Sequence, residues 1–419
     1  MIKQSFKITS LSAHEILDSR GNPTIEVELS LENAKAISSV PSGASTGIHE
    51  ALELRDGDKN RYKGLGVLNA VQNVNEKISK EIVGKKFNQR QLDEFLIKFD
   101  GTENKSRLGA NAILGVSMAF ARANSLKNGL ELYKYLGQLA GNNDFQLPQP
   151  MFNIINGGKH ADSGLDIQEF MLAPVGFDSF AKKIQAGSEI IHTLKDILKE
   201  KGYTVSVGDE GGFAPKLSSN EEALDLMVEA IKAAGYTTDQ VNIGMDAAAS
   251  NFYEGGKYVL RIHGDKKSLS AEEIAVWYKE LIVKYPIMLI EDGLAEDDWD
   301  GFRLLNKKVG HNISVVGDDL LVTNIKRIEQ AINKKAVNSV LIKLNQIGTV
   351  SETIEAIELT KMQGWKPFVS HRSGETTDTF IADLAVGLNC PLIKTGSLVR
   401  GERVCKYNRL MKIEELLNI

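Results

Sequence analysis

Cysteine is almost missing: Cys390 and Cys405 are the only two in 419 residues. Two thiols supply neither a disulfide framework nor the paired spacing of a zinc site, so a disulfide-stapled scaffold and a thiolate metal centre are both excluded. Long apolar runs are also lacking. The stretch around Ala112–Ala121 is interrupted by Gly115 and Ser117 and is too short to span a bilayer. Met1-Ile2-Lys3-Gln4 leads directly into a strand-like segment with no signal-peptide core, so a cytoplasmic protein without membrane insertion is expected. No block of like charge is long enough to form a tail, and a net charge of −5 argues against general nucleic-acid binding. No Gly-x-Gly-x-x-Gly follows a strand to open a helix, which removes the dinucleotide-binding arrangement. What is present, 42% hydrophobic and 25% charged residues, suits a globular chain of two or three domains.

The first third reads as a small α+β unit. Thr24–Leu31 alternates polar and apolar residues, the mark of a strand with one wet face. Phe6–Ile16 and Ala34–Val40 complete a three-stranded antiparallel meander. The small-residue loop Val40–Gly47, which carries Ser45, is either a flexible connection or a lid whose hydroxyls and amides reach a charged ligand. Helical periodicity follows over Val67–Ile82, Gln89–Phe99 and Ala110–Lys127. Polar Asn142–Gln149, with Pro148 and Pro150 at its end, marks the expected boundary between domains 1–140 and 141–419.

Beyond Pro150, short apolar runs end in polar or charged residues and are mostly followed by helical segments. The later ones are Val241–Asp246, Ile287–Glu291, Ile313–Asp318, Val340–Lys343, Pro367–His371 and Leu392–Lys394. From Glu291 onward their ends recur at the spacing of one βα unit. The longer interval after Asp246 has room for a hairpin around Gly255-Gly256. Ser219/Glu222, Ser270/Glu273 and Thr349/Glu352 read as capping boxes. Such repetition fits a barrel or a doubly wound sheet.

In a barrel the strand ends converge on one face. Asp246, Glu291 and Asp318 then deliver one carboxylate each, the oxygen-only set that magnesium takes. Lys343 ends the next strand and Lys394 one two strands further. A lone strand-end Asp is usually a cap, and a lone lysine usually snorkels to water. Five such residues at matching positions point instead to a metal and anion site. Ser370–Glu375 offers the Arg372 fork and the hydroxyl of Ser373 for a phosphate, with His371 as a further donor, or else forms a polar loop capping the next helix. Gly208–Gly212 sets Glu210 among glycines. His160 lies in a glycine loop, and Gln168-Glu169 places an amide and an acid at a strand mouth.

Ser19–Thr24, Pro41–Gly47, Glu53–Asp58, Asn156–His160, Gln168–Phe170, Gly208–Gly212, Gly244–Asp246, Ile290–Asp292, Gly317–Asp319, Lys343–Gln346, Ser370–Glu375 and Lys394–Gly396 together resemble the enolase family, in family order along nearly the whole chain. The resemblance implies an α/β protein: an N-terminal α+β capping domain, then a TIM-like barrel of order ββαα(βα)6. Met151–Ile155 and Gln168–Ala173 would be the first two barrel strands, with Glu210 between the helices that follow. It implies reversible, magnesium-dependent dehydration of 2-phosphoglycerate to phosphoenolpyruvate, with two ions per site. Asp246, Glu291 and Asp318 would hold the first ion, beside the substrate carboxylate, and Ser45 would help hold the second. Arg372 and Ser373 would grip the phosphate, and Lys394, Gln168 and His160 would complete the substrate shell. Lys343 would be the general base and Glu210 the general acid, with Glu169 beside it and His371 a second candidate near the leaving group.

That chemistry demands a neutral lysine, although a free one titrates near ~10.4. Magnesium beside it is expected to lower that value, and repulsion between Glu169 and Glu210 is expected to raise one of theirs. Gly401 stands where the family usually has serine, and Thr377 and Ala295 replace acidic residues, which touches caps and surface charge rather than the chemistry. Family members are usually dimers, sometimes octamers, and some are reported as RNA-degradation scaffolds or as secreted or surface-displayed plasminogen binders. A racemase or lactonising relative is the alternative enzyme. Such enzymes usually carry Lys-x-Lys on the second barrel strand, where this chain has Gln168-Glu169.

Overall fold

Alternating polarity near the N terminus produces three strands, β1 (Phe6–Leu17), β2 (Pro23–Leu31) and β3 (Ala34–Ser39). The computed structural model describes residues 4–43, 47–161 and 163–418. A two-residue strand, β4 (Lys86–Phe87), joins the meander at its edge, so the sheet has four strands in the order β3-β2-β1-β4 rather than the three expected. Ile25, Val27 and Leu29 of β2 are fully buried, and the sheet packs on the almost wholly buried helix Ala110–Lys127. Val67–Ile82, expected as one helix, is α-helical at Leu68–Gln72 and Ser79–Ile82 but π-helical across Asn73–Ile78. The π stretch carries Asn75, whose side-chain amide bonds both the N–H and the C=O of Ala13 (2.7 and 2.9 Å). It thereby satisfies part of the outer edge of β1. Leu132–Ala140 is a helix that periodicity did not suggest, because nine residues give too short a window.

The second part closes into a barrel. Its strands are β5 (Gln149–Asn156), β6 (Glu169–Pro174) and β7 (Val241–Asp246), followed by β11 (Ile287–Glu291), β12 (Ser314–Gly317), β13 (Ser339–Ile342), β14 (Lys366–Ser370) and β15 (Leu392–Lys394). Between β7 and β11 lies a small three-stranded antiparallel sheet, β8 (Tyr253–Glu254), β9 (Lys257–Ile262) and β10 (Asp265–Leu269), where a two-stranded hairpin was expected. β6 alone runs antiparallel to both barrel neighbours. Among the described residues, its connection from β5 contains only the short turn Gly158–His160 and no helix to carry the chain back across the barrel. Two helices, Phe180–Glu200 and Asn220–Ala233, then precede β7, and six βα units follow, giving ββαα(βα)6.

Alternation along the strands sorts the barrel into layers. Met151, Met171, Ala173, Leu289, Val316, Leu341, Phe368 and Leu392 form a separate apolar cluster inside the barrel. Ile243, Met245, Ile290, Val340, Ile342, Val369 and Ile393 belong to the larger core shared with the helices. The residue two places beyond an interior apolar side chain lies on the same face. Leu289 is thus followed by Glu291, Val316 by Asp318, Leu341 by Lys343, Phe368 by Ser370 and Leu392 by Lys394. On antiparallel β6 the order reverses, and Glu169 precedes Met171. A dry plug therefore supports a polar layer at the barrel mouth. Asp318, Lys343 and His371 stand one residue beyond their strands.

Of the three capping boxes, only Ser270/Glu273 is complete. Ser219 and Thr349 cap their helices, but Glu222 bonds Ser218 and Glu352 bonds the Thr349 hydroxyl instead of the cap's backbone N–H. At Gly401 the last helix begins without a side-chain cap, after Arg400 at φ 72°. Among the described residues, no helix is long and apolar enough to cross a membrane.

Candidate active site

The polar layer surrounds a tight cavity of about 20 Å³, lined by His160, Gln168, Glu169, Glu210, Asp246, Asp318, Lys343, His371, Arg372, Ser373 and Lys394, together with Ala248, Asp292, Asp319 and Ser370. Eleven residues singled out from the sequence thus share one space. Glu291 is fully buried on β11, paired in register with Asp246 and bonded to Lys394. Ser45, expected at a metal, lies outside the described residues.

Lysines compensate the carboxylates here. Lys394 Nζ lies 2.8 Å from Glu291, 3.2 Å from Glu169 and 3.7 Å from Asp246. Burial alone would lower its pKa, but Glu169, Glu291 and Asp246 hold it well above the usual lysine range. Glu291 itself is pushed well up by burial and by the charge of Asp246. Lys343 pairs with Asp318 Oδ2, while Gln346 Nε2 donates to Asp318 Oδ1 (2.8 Å) and Thr323 Oγ1 accepts the Lys343 N–H (2.9 Å). Burial pulls Lys343 down and the Asp318 carboxylate pushes it up, with a net upward direction. The net direction is opposite to the lowering that the chemistry demands.

The donor set fits a hard cation. Asp246, Glu291 and Asp318 offer only oxygen, and Glu291 Oε2 is buried with no hydrogen-bond partner among the described residues. The carboxylate oxygens that lie within 4.8 Å of one another come from Asp292, Asp318 and Asp319, two of which were not expected at the metal. Asp292, at φ 41°, accepts the backbone N–H groups of Asp318 and Asp319 (both 2.8 Å). Burial, then Asp318, pushes Asp319 up to about 8. Each follows an expected ligand in the chain, and that doubling of acids was the available signal.

Opposing shifts mark the second group. Glu169, Glu210 and His160 approach within the same 4.8 Å limit. Burial and the charge of Glu210 raise Glu169 well above the carboxylate range. Burial would raise Glu210 too, but His160 and then His371 bring it well below. The raised member of the pair is Glu169, so the two titrate as a unit whose resting proton sits on Glu169. Asn153 Nδ2 donates to Glu210 Oε2 (2.9 Å), a partner the sequence reading missed because it lies mid-strand in β5. Gly212 permits this packing: a Cβ there would stand 2.4 Å from Asn156 Oδ1 and 3.1 Å from Asn153 Oδ1.

Arg372 is buried with its fork closed on a carboxylate. NH1 and NH2 bond Glu50 at 2.8 and 3.1 Å, and NH1 also bonds Asn345 Oδ1 (3.0 Å). Glu50 comes from the segment following the loop Val40–Gly47 and was not anticipated. Gln168 Nε2 donates to Asp246 Oδ2 (3.2 Å), which ties the substrate-shell amide to an expected metal ligand.

A ββαα(βα)6 barrel with three strand-end carboxylates facing two strand-end lysines defines a class of acid- and lysine-bearing barrel enzymes. Family comparison narrows the class. The model described as "Enolase, C-terminal TIM barrel domain" matches residues 144–418, and "Enolase, N-terminal domain" matches residues 8–136. The chain belongs to the enolase family, and the two domains indicate a lyase of the enolase superfamily acting on a small molecule.

Proposed function

We propose that the protein catalyses the reversible dehydration of 2-phosphoglycerate to phosphoenolpyruvate, with 1–140 as a capping domain and 141–419 carrying the chemistry. The observation that carries this reading is one cavity holding Lys343, the Glu169–Glu210 pair, Lys394 and the Arg372-Ser373 phosphate grip. A proton beside a carboxylate is weakly acidic because its removal loads a second negative charge onto the same group. Lys394 answers that charge with a buried ammonium. Lys343 takes the proton from C2, and Glu210, drawing on the proton held with Glu169, protonates the departing hydroxide. Arg372 and Ser373 bind the phosphate. Asp246, Glu291 and Asp318 would hold magnesium, which when bound supplies positive charge at the substrate carboxylate. Ser45 is proposed for a second ion.

A racemase-type reading is less well supported, since Glu169 on β6 takes part in an acid pair and Arg372 offers a phosphate fork. The test is an ultraviolet assay for the enol product with 2-phosphoglycerate and magnesium. Folded protein giving no product overturns the proposal. Lys343→Ala is expected to lose hydrogen exchange at C2, whereas Glu210→Gln keeps exchange and loses dehydration, each by roughly 10²–10⁴-fold. Swapped phenotypes would reverse the two roles.

A further inference from the structure

Arg403 is completely buried on the last helix, Gly401–Leu417. One terminal nitrogen, NH1, donates to His371 Nδ1 and to the Arg372 carbonyl (both 2.6 Å). The other, NH2, donates to the carbonyls of Ser373 (2.6 Å) and Asp209 (3.1 Å). Its stem runs over Gly396, where a Cβ would lie 2.8 Å from Arg403 Cδ, so the approach requires glycine. A guanidinium has donors only and keeps its proton in proteins. His371 Nδ1 must therefore accept, which leaves the ring hydrogen on Nε2. Nε2 is buried without a hydrogen-bond partner among the described residues and lies 3.5 Å from Glu210 Oε2.

We propose that Arg403 is a positioning residue that locks His371 in its Nε2–H tautomer, turning a fixed N–H towards Glu210 and keeping the ring from acting as a carrier of protons. A second ring proton would place N–H against N–H at Nδ1, inside a buried site. The charged groups facing the ring are Glu210 from the segment between the helices Phe180–Glu200 and Asn220–Ala233, Arg403 from the last helix and Lys394 from β15. Two cations thus oppose protonation against one carboxylate, and burial with them takes the imidazole down to about 3. His371, a candidate catalyst on sequence grounds, becomes an orienting group for the acid. An Nε2–H facing Glu210 favours its charged carboxylate beside the proton-bearing partner, Glu169.

The test uses the ligand-free, full-length protein with ¹⁵N-labelled histidine. Seven histidines give a resolvable long-range ¹H–¹⁵N spectrum, and His371→Gln identifies the signal. The expected result is an unprotonated Nδ1 and a protonated Nε2 that do not change between about pH 5 and about pH 8. Titration of His371 within that window, or a proton on Nδ1, overturns the proposal, and this measurement needs no variant of Arg403. Arg403→Gln is expected to free the ring to mix tautomers or titrate, while Arg403→Lys, which still donates, restores the single tautomer. A folded Arg403→Gln protein with an unchanged ring also overturns it. A second arm rests on the dehydration reading: Arg403→Gln should lose dehydration by roughly 10–100-fold with exchange at C2 retained and KM little moved. Loss of exchange together with dehydration would mean a merely structural role.

Discussion

Asp93 offers the most direct check of the electrostatics that join the two halves of the chain. It lies on the helix Gln89–Asp100 with no exposed surface, and its carboxylate accepts the N–H and hydroxyl of Ser351 (2.9 and 2.6 Å) at the start of the helix Val350–Met362. Gln89 Nε2 adds donors at 3.2 and 3.1 Å. Burial nevertheless wins over these donors and pushes Asp93 from 3.8 up to about 6. In the unfolded chain the group ionises near 3.8, whereas in the fold it keeps its proton to about 6. Between those values the unfolded state binds fewer protons, so Asp93 makes stability fall as pH rises. At ~1.36 kcal/mol per pH unit the loss is about 3 kcal/mol, complete above the folded value. Asp93→Asn removes it. Urea unfolding of both proteins from about pH 4 to about pH 7 should therefore show the variant gaining about 3 kcal/mol relative to wild type across the window. At the acid end the variant should be the less stable, because Asn presents an amide to the Gln89 amide and loses about 1 kcal/mol of bonding. A difference between the two proteins that stays constant with pH would refute the reasoning, since Asp93 would then titrate near its ordinary value.

Two further outcomes test the site. Glu50→Gln should raise the affinity for inorganic phosphate by roughly tenfold, because the carboxylate closes the Arg372 fork that phosphate is proposed to take; calorimetry at low salt reads this, and unchanged or weaker binding sinks the competition. Gly212→Ala should crowd the Asn156 and Asn153 side chains, break the Asn153–Glu210 bond and cut dehydration by roughly 10–100-fold, with C2 exchange retained. Equal loss of both activities would show that the distortion reaches Lys343.

Much of the barrel was legible because its strands end in functional residues. Val241–Asp246, Ile287–Glu291 and Leu392–Lys394 were delimited to the residue, since each apolar run stops at a charge. Strand direction was not legible from the runs themselves. Phe170-Met171-Leu172 is apolar whichever way it points, and β6 is antiparallel only because residues 157–168 supply no crossover helix. The π stretch at Asn73–Ile78 was hidden for a related reason. Its helical periodicity reads as plain helix, and only the partner of Asn75, Ala13 on a distant strand, reveals what the extra residue does.

Residues of the site were legible where they stand at strand ends, and illegible where they act through another side chain. Arg403 sits inside a helix and meets His371 across 32 positions of chain. Nothing in its neighbours Glu402 and Val404 announces that contact. Asn153 and Glu50 are hidden in the same way. The sharper lesson concerns Lys343 and Asp318, both recognisable from their strands, whose pairing was not. A base must be neutral to accept a proton, yet Asp318 beside Lys343 favours the ammonium. One carboxylate is thus proposed for two tasks that compete, holding a metal and holding a lysine. When its charge is taken up by a cation, the ammonium loses the partner that kept it protonated, while Arg372 and Lys394 still press its pKa down. A cation held by Asp246, Glu291 and Asp318 would offset that carboxylate's charge and so favour the neutral Lys343 that accepts the proton from C2.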